Sequence, residues 1–263
     1  MRVDIQQGRT VIRLGRISYL NMAPVFFGLD ADVEEVAGVP TELNRALLAG
    51  HVDVAPISSI AWAQNAPRLL VLPRLCVSSD GAAGSIQLVS RLPLDRVRSI
   101  AVTPESATSV VLARLLLPEA DHVPLGEPAD ARLLIGDAAL RSAFEDPTPH
   151  HDLGRLWTRG TGLPMVFALW ACADPPPEGV AQLEAALVAS IRRGREDPER
   201  LAGEAAEEYG YPAGFLARYF EQLRYEFGLR EREGLAAFLE LARDMGELDE
   251  VPELRFAAET VAA

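Results

Sequence analysis

Residues 11–59 alternate short apolar runs with capped helical stretches, and that rhythm restricts the fold more than any other feature of the chain. VIRLGRISYL (11–20) reads as a strand, and Pro24 is placed to open a helix after it. Asp32 to Val36 is a second short strand. Thr41 then caps a helix to about Ala49, with Glu42 in its first turn and Gly50 closing it. Val52 to Ile57 is a third strand, and Ser58-Ser59 begin the next turn or helix. A β-α-β-α-β series of this kind predicts an open, largely parallel sheet.

LLVLPRLCVSS (69–79) and GSIQLVSR (84–91) are further strands, joined by the small-residue turn Asp80-Gly81-Ala82-Ala83. RLPLDRVRS (91–99) reads as a connector crossing to a second lobe. A new βα series follows, with a strand at 99–103, a helix over 104–117, strands at 122–125 and 131–136, a short helix, and a loop at 147–152. LPMVFALWACA (163–173) is an apolar strand leading back to the first lobe. Helices are expected over 178–195, 197–208, 212–227 and 231–246. The boundaries place residues 1–95 and 174–263 in lobe 1 and residues 96–173 in an inserted lobe 2, with a ligand cleft between them. Ligands of open α/β sheets bind beyond the carboxyl ends of the strands.

Composition narrows the chemistry. The net charge of −13 over 263 residues argues against nucleic acid or an anionic membrane as partner. All 25 basic residues are arginine. Without lysine the chain can form no internal Schiff base and no Walker A phosphate site. Cys76 and Cys172 sit in apolar runs and read as buried free thiols. The polar start MRVDIQQGRT has no apolar signal-peptide core, and no apolar run is long enough to span a membrane, so a cytoplasmic protein is expected. His150-His151 lack the carboxylate or cysteine partners of a metal site and read as a solvated loop. Asp152 reads as a helix cap. Oligomeric state is not readable.

Five polar clusters fall at the predicted carboxyl rims: Ser18-Tyr19-Leu20-Asn21, Ser58-Ser59, Ser78 to Ser85 across a turn, Thr103 to Ser109, and Gly136-Asp137. Each has a structural explanation. Thr103 can cap, Pro104 suits the first helical position, Glu105 complements the positive helix end, and Asn21 can cap the helix containing Pro24. Those explanations leave Ser106, Thr108 and Ser109 unused. Hydroxyls and free N–H groups at a helix start form a ready carboxylate site.

The segments GRISYLNMAPVFFGL, VPTELNRALLAGHVDVAPISSI, SSDGAAGSIQLVSR, VTPESATSVVLARLLL and DLGRLWTRGTGLPMVFALWA occur in order between about residues 12 and 173. Together they resemble the chorismate dehydratases of the futalosine route to menaquinone. The resemblance implies an α/β, two-lobe, type II periplasmic-binding-protein-like fold, here with a helical C-terminal segment. It implies a cofactor-free enzyme acting on a small dianionic substrate. Chorismate loses its C3 hydrogen and C4 hydroxyl to give 3-[(1-carboxyvinyl)oxy]benzoate, and aromatisation of the ring drives the reaction.

On that footing Asn21 is the catalytic candidate, donating to charge that builds during deprotonation or to the departing hydroxyl. Ser106, Ala107, Thr108 and Ser109 are expected to hold one carboxylate. Ser58, Ser59, Gly84 and Ser85 are expected to hold the other. Ser18, Tyr19, Gly136 and Asp137 complete the rim. Glu105 and Asp137 are the acid–base candidates. Both have structural explanations, so a carboxylate of the substrate itself is the expected base. Two alternatives stand beside this reading. One is the sister enzyme acting on cyclic dehypoxanthine futalosine, whose carbon–carbon cleavage calls for a dedicated base such as a cleft histidine. The other is a non-catalytic binder of a small carboxylate.

Overall fold

The computed structural model describes residues 11–257. Its strands are β1 (Ile12–Ile17), β2 (Val33–Gly38), β3 (Val54–Ser58), β4 (Leu69–Ser79), β5 (Ile86–Ser90), β6 (Ser99–Val102), β7 (Asp121–Pro124), β8 (Ala131–Ile135), β9 (His150–Asp152), β10 (Met165–Ala173) and β11 (Arg224–Glu226). Its α-helices are α1 (Ala23–Phe26), α2 (Pro40–Leu48), α3 (Ser59–Ala63), α4 (Ala107–Leu116), α5 (Gly136–Glu145), α6 (Leu153–Thr161), α7 (Val180–Glu196), α8 (Pro198–Tyr209), α9 (Ala213–Phe220) and α10 (Leu229–Asp244). Among the described residues no helix is long and apolar enough to cross a membrane.

The strands form two sheets, ordered β11-β4-β10-β3-β1-β2 and β7-β6-β8-β5-β9. Both are mixed rather than largely parallel. In the first, β1 runs parallel to β2 and β3, while β10 is antiparallel to β3 and β4. In the second, β6 is parallel to β7 and β8, while β5 is antiparallel to β8 and β9. The parallel half is the βα series read from the sequence; the antiparallel half is added where the chain changes sheets.

β10 explains its own unbroken apolar sequence. Leu169 and Ala171 face a core shared with α3, α4 and α10, while Ala168, Trp170 and Cys172 face one shared with α1, α7 and α9. A central strand covered on both faces needs apolar side chains at every position. Cys76 and Cys172 are free and buried, as expected, and burial pushes both thiols up to about 12.

Sheet membership moves both lobe boundaries. β5 pairs with β8 and β9, so it belongs to the second sheet, and the outward crossing is the turn at 80–85 rather than the connector at 91–99. β10 lies in the first sheet, so the return crossing is at 162–164 and not at 174. The physical reason is pairing: Leu88 and Val89 are buried and hydrogen-bonded on both sides by strands of the second sheet.

Local corrections follow the same logic. His150 to Asp152, read as loop, pairs with Val89, Leu88 and Gln87 as edge strand β9. The helix expected over 212–227 stops at Phe220, and β11 then pairs with β4. Helix α2 begins at Pro40, so Thr41 lies inside it, and Glu42 instead accepts the Val39 N–H at 3.1 Å. Helix α4 begins at Ala107 and is capped by Ser106, which accepts the Ser109 N–H at 3.1 Å; Thr103 accepts the Glu105 N–H in the preceding turn.

Candidate active site between the two sheets

A cavity of ≈ 60 Å³ lies where the rims of the two sheets meet. From the first sheet it receives Tyr19 and Asn21 after β1 and Ser58 at the end of β3. From the second it receives Ser85 ahead of β5, Ser106 and Ser109 at the start of α4, and Gly136 at the start of α5. Ile17, Val77, Ile86 and Ile135 supply apolar wall.

Asn21 is not a helix cap. It sits in a 3-10 turn, Leu20–Met22, whose N-cap Tyr19 makes no side-chain capping bond; Met22, at the cap of α1, makes none either. The Asn21 Oδ1 is sealed from solvent with no hydrogen-bond partner in the protein. Leaving a buried acceptor unpaired costs about 1–3 kcal/mol, and such costs concentrate at functional sites.

The serines are wired to point donors inward. Asn44, in α2, donates from Nδ2 to Ser58 Oγ at 2.8 Å and accepts the Ser58 N–H at 3.0 Å. Ser58 therefore keeps its own hydroxyl hydrogen for the cavity. Ser106 donates to Ser109 Oγ at 2.8 Å, which leaves the Ser109 hydroxyl hydrogen free in the same way. No lining side chain is cationic. Positive potential comes instead from the starts of helices α4 and α5.

Three further contacts close the rim between the sheets. Tyr19 donates its phenol hydrogen to Glu105 Oε2 at 2.8 Å. The Leu20 N–H donates to Asp137 Oδ1 at 2.9 Å. The Thr41 N–H donates to the Glu105 carbonyl at 3.3 Å. Gly136 adopts φ +55°, and a Cβ there would stand 2.6 Å from the Tyr19 ring, so the ring closes onto bare backbone. Burial, with the Glu105 and Asp137 charges, drives the Tyr19 phenol far above its ordinary value and keeps it a neutral donor.

Of the expected site residues, Tyr19, Asn21, Ser58, Ser85, Ser106, Ser109 and Gly136 come together on the cavity wall. The others do not line it. Ser18 is exposed. Ser59 donates to the Val166 carbonyl at 2.7 Å, and Thr108 Oγ1 accepts the Ile60 N–H at 3.2 Å; both are structural ties between α3 and its neighbours. Ala107 begins α4 behind Ser106. Gly84 donates its N–H to Asp152 Oδ2 at 2.7 Å. Asp137 opens onto an outer groove with Arg132 and Arg141 and turns its Oδ1 to Leu20.

Asp152 caps α6 by accepting the Arg155 N–H, and also accepts from Ala83, Gly84 and the Gln87 amide, fixing the outward crossing. His150 lies in β9 beside Ser142. Sequence reading missed Asn44, Phe167 and Leu223. Asn44 looks like any polar helix residue, and the other two look like core.

Two sheets joined by two crossings, with a rim of donors between them, define a fold of the periplasmic-binding-protein kind. The E. coli periplasmic aliphatic sulphonate binding protein SsuA aligns with TM-score 0.64 at 14% identity, covering 96% of each chain. A crystal structure from Archaeoglobus fulgidus aligns with TM-score 0.75 at 22% identity, over 89% of this chain and 97% of that one. Within that class the chain belongs to the family described as menaquinone biosynthesis, which matches residues 12–244. The chorismate dehydratase of Thermus thermophilus is 35% identical over 86% of this chain and 93% of its own length. That of Campylobacter jejuni is 33% identical over 61% of this chain and 67% of its own.

Proposed function

We propose that this chain is a chorismate dehydratase, a hydro-lyase of menaquinone biosynthesis that converts chorismate to 3-[(1-carboxyvinyl)oxy]benzoate and water. The family membership and the Thermus relative support the activity. The observation that carries the mechanism is the cavity lining: an unpartnered amide and several inward hydroxyls, with no carboxylate, histidine or cation among the lining side chains.

Such a wall binds and polarises, and it does not itself take a proton. Helix starts α4 and α5 and the hydroxyl of Ser109, which Ser106 orients, hold one carboxylate of the dianion; Ser58 and Ser85 hold the other. The enolpyruvyl carboxylate, near C3, removes the C3 proton. The electron pair left behind enters the ring as the C4–OH bond breaks, and the departing hydroxide takes the proton now carried by the enolpyruvyl carboxyl and leaves as water. Asn21 donates to the negative charge that develops between those steps. The two lobes part to admit the substrate, since ≈ 60 Å³ is far below the ~300–1,000 Å³ of ordinary ligand sites. The enzyme works in the cytoplasm on this free substrate.

Incubating purified protein with chorismate and no added cofactor, and following mass, tests the proposal. Conversion to a product lighter by one water is expected. Tight binding without turnover would replace the enzyme with a carboxylate binder. A cleft without histidine disfavours the cyclic dehypoxanthine futalosine reaction, and that compound should be left unchanged. If Asp137→Asn alone abolished turnover while binding persisted, the substrate base would give way to a protein base.

A further inference from the structure

Tyr225 is the middle residue of edge strand β11, and its side chain is buried. Its phenol donates a hydrogen bond to the backbone carbonyl of Asn21, across the boundary between the C-terminal segment and the cavity. Burial holds the phenol well above its ordinary pKa, so the group stays protonated and acts toward that carbonyl as a donor. Two peptide units earlier, the Leu20 N–H is held by Asp137. The backbone on both sides of the Asn21 side chain is thus pinned from outside its own element.

The pinning matters because nothing local replaces it. The 3-10 turn carrying Asn21 has no side-chain cap, α1 behind it is four residues long, and no protein group satisfies Oδ1. An Asn amide without partners points where its Cα frame points it. A polarising donor has to sit within about 0.5 Å of its productive place to be effective.

We propose that Tyr225 is a positioning residue for the reaction: its phenol fixes the Asn21 peptide so that the unpartnered amide meets the substrate in one orientation. The inference rests on the reading of Asn21 as the polarising donor. It gives the C-terminal segment a part in turnover, through a residue that does not touch the cavity.

The test is a double-mutant cycle on kcat and KM for chorismate with Asn21→Ala, Tyr225→Phe and the double variant. Tyr225→Phe should lower kcat about ten-fold or more with KM within about two-fold, and should have no further effect on kcat in the Asn21→Ala background. A merely structural phenol would lower kcat by the same factor in both backgrounds, and that multiplicative outcome overturns the positioning role alone. So does an unimpaired Tyr225→Phe beside an impaired Asn21→Ala. An Asn21→Ala enzyme with full turnover overturns the Asn21 reading and the positioning role with it. Should Tyr225→Phe fail to fold, 3-fluorotyrosine at 225 keeps the shape and alters the donor; it should change kcat when Asn21 is present and leave kcat unchanged in the Asn21→Ala background.

Discussion

Asn21 and Asp137, which accepts the N–H of the neighbouring Leu20, put burial to opposite uses. Asn21 is neutral, so the cost of leaving its Oδ1 unpaired is modest. Asn21→Ala should lower kcat by about 10²–10³ while KM changes much less, the loss typical of one preorganised donor, measured by steady-state kinetics. Asp137 is charged, and burial raises its pKa; the Leu20 N–H and Arg141 oppose that shift, while Glu208 adds to it. A carboxyl whose folded pKa is raised contributes stability that is fully present below its unfolded value, about 3.9, and is lost as pH rises through the folded value. Asp137→Asn carries no charge, so its melting temperature relative to the parent should move in the variant's favour between about pH 4 and pH 7. Thermal melts across that range check the sign. At this scale the sequence exposed the donor types but not their orientation. Ser59 and Thr108 carry hydroxyls as Ser58 and Ser109 do, yet they are spent on backbone groups of neighbouring elements. Only tertiary packing separates a hydroxyl that ties α3 to β10 from one that faces the cavity.

Elements were legible where periodicity and punctuation agreed. β1, α2 and β3 follow from short apolar runs, an acidic first turn and a closing glycine, and β4 matches its run from Leu69 to Ser79. β9 was hidden because His150, His151 and Asp152 are polar and only half buried at a sheet edge, and β11 because Arg-Tyr-Glu continues an amphipathic helical pattern. Close approach between elements leaves no periodic trace either. Gly234 lets α10 lie against the return crossing, where a Cβ would stand 2.1 Å from the Pro164 carbonyl oxygen. Gly234→Ala should cost about 1–3 kcal/mol through forced backbone shifts. Gly203, in α8, has nothing within 4 Å of the Cβ position, and Gly203→Ala should stabilise by about 1 kcal/mol through helix propensity. Denaturant midpoints of the two variants should therefore move in opposite directions.

Across the whole molecule, two lobes and a cleft were readable from strand order and the clustering of polar residues at one rim, whereas the crossing points were not, because an apolar strand carries no mark of the sheet it joins. One contact on the outer rim joins the lobes as Tyr19 does on the inner. Phe144 of α5 meets Tyr211 and Phe215 edge-on, with ring centroids 5.7 and 5.4 Å away. Phe144 is 53% exposed, so its loss should barely alter the melting temperature. It should still weaken closure by about 1 kcal/mol, and Phe144→Ala is expected to raise KM for chorismate roughly five-fold. The placement of β10 between β4 and β3 has a consequence for synthesis. By the time Thr161 leaves the ribosome, every strand of the second sheet has been made, while the first still lacks its central strand. The inserted lobe is thus free to fold as the chain emerges, and the lobe that begins first is completed last, its halves waiting for β10 to wedge between them.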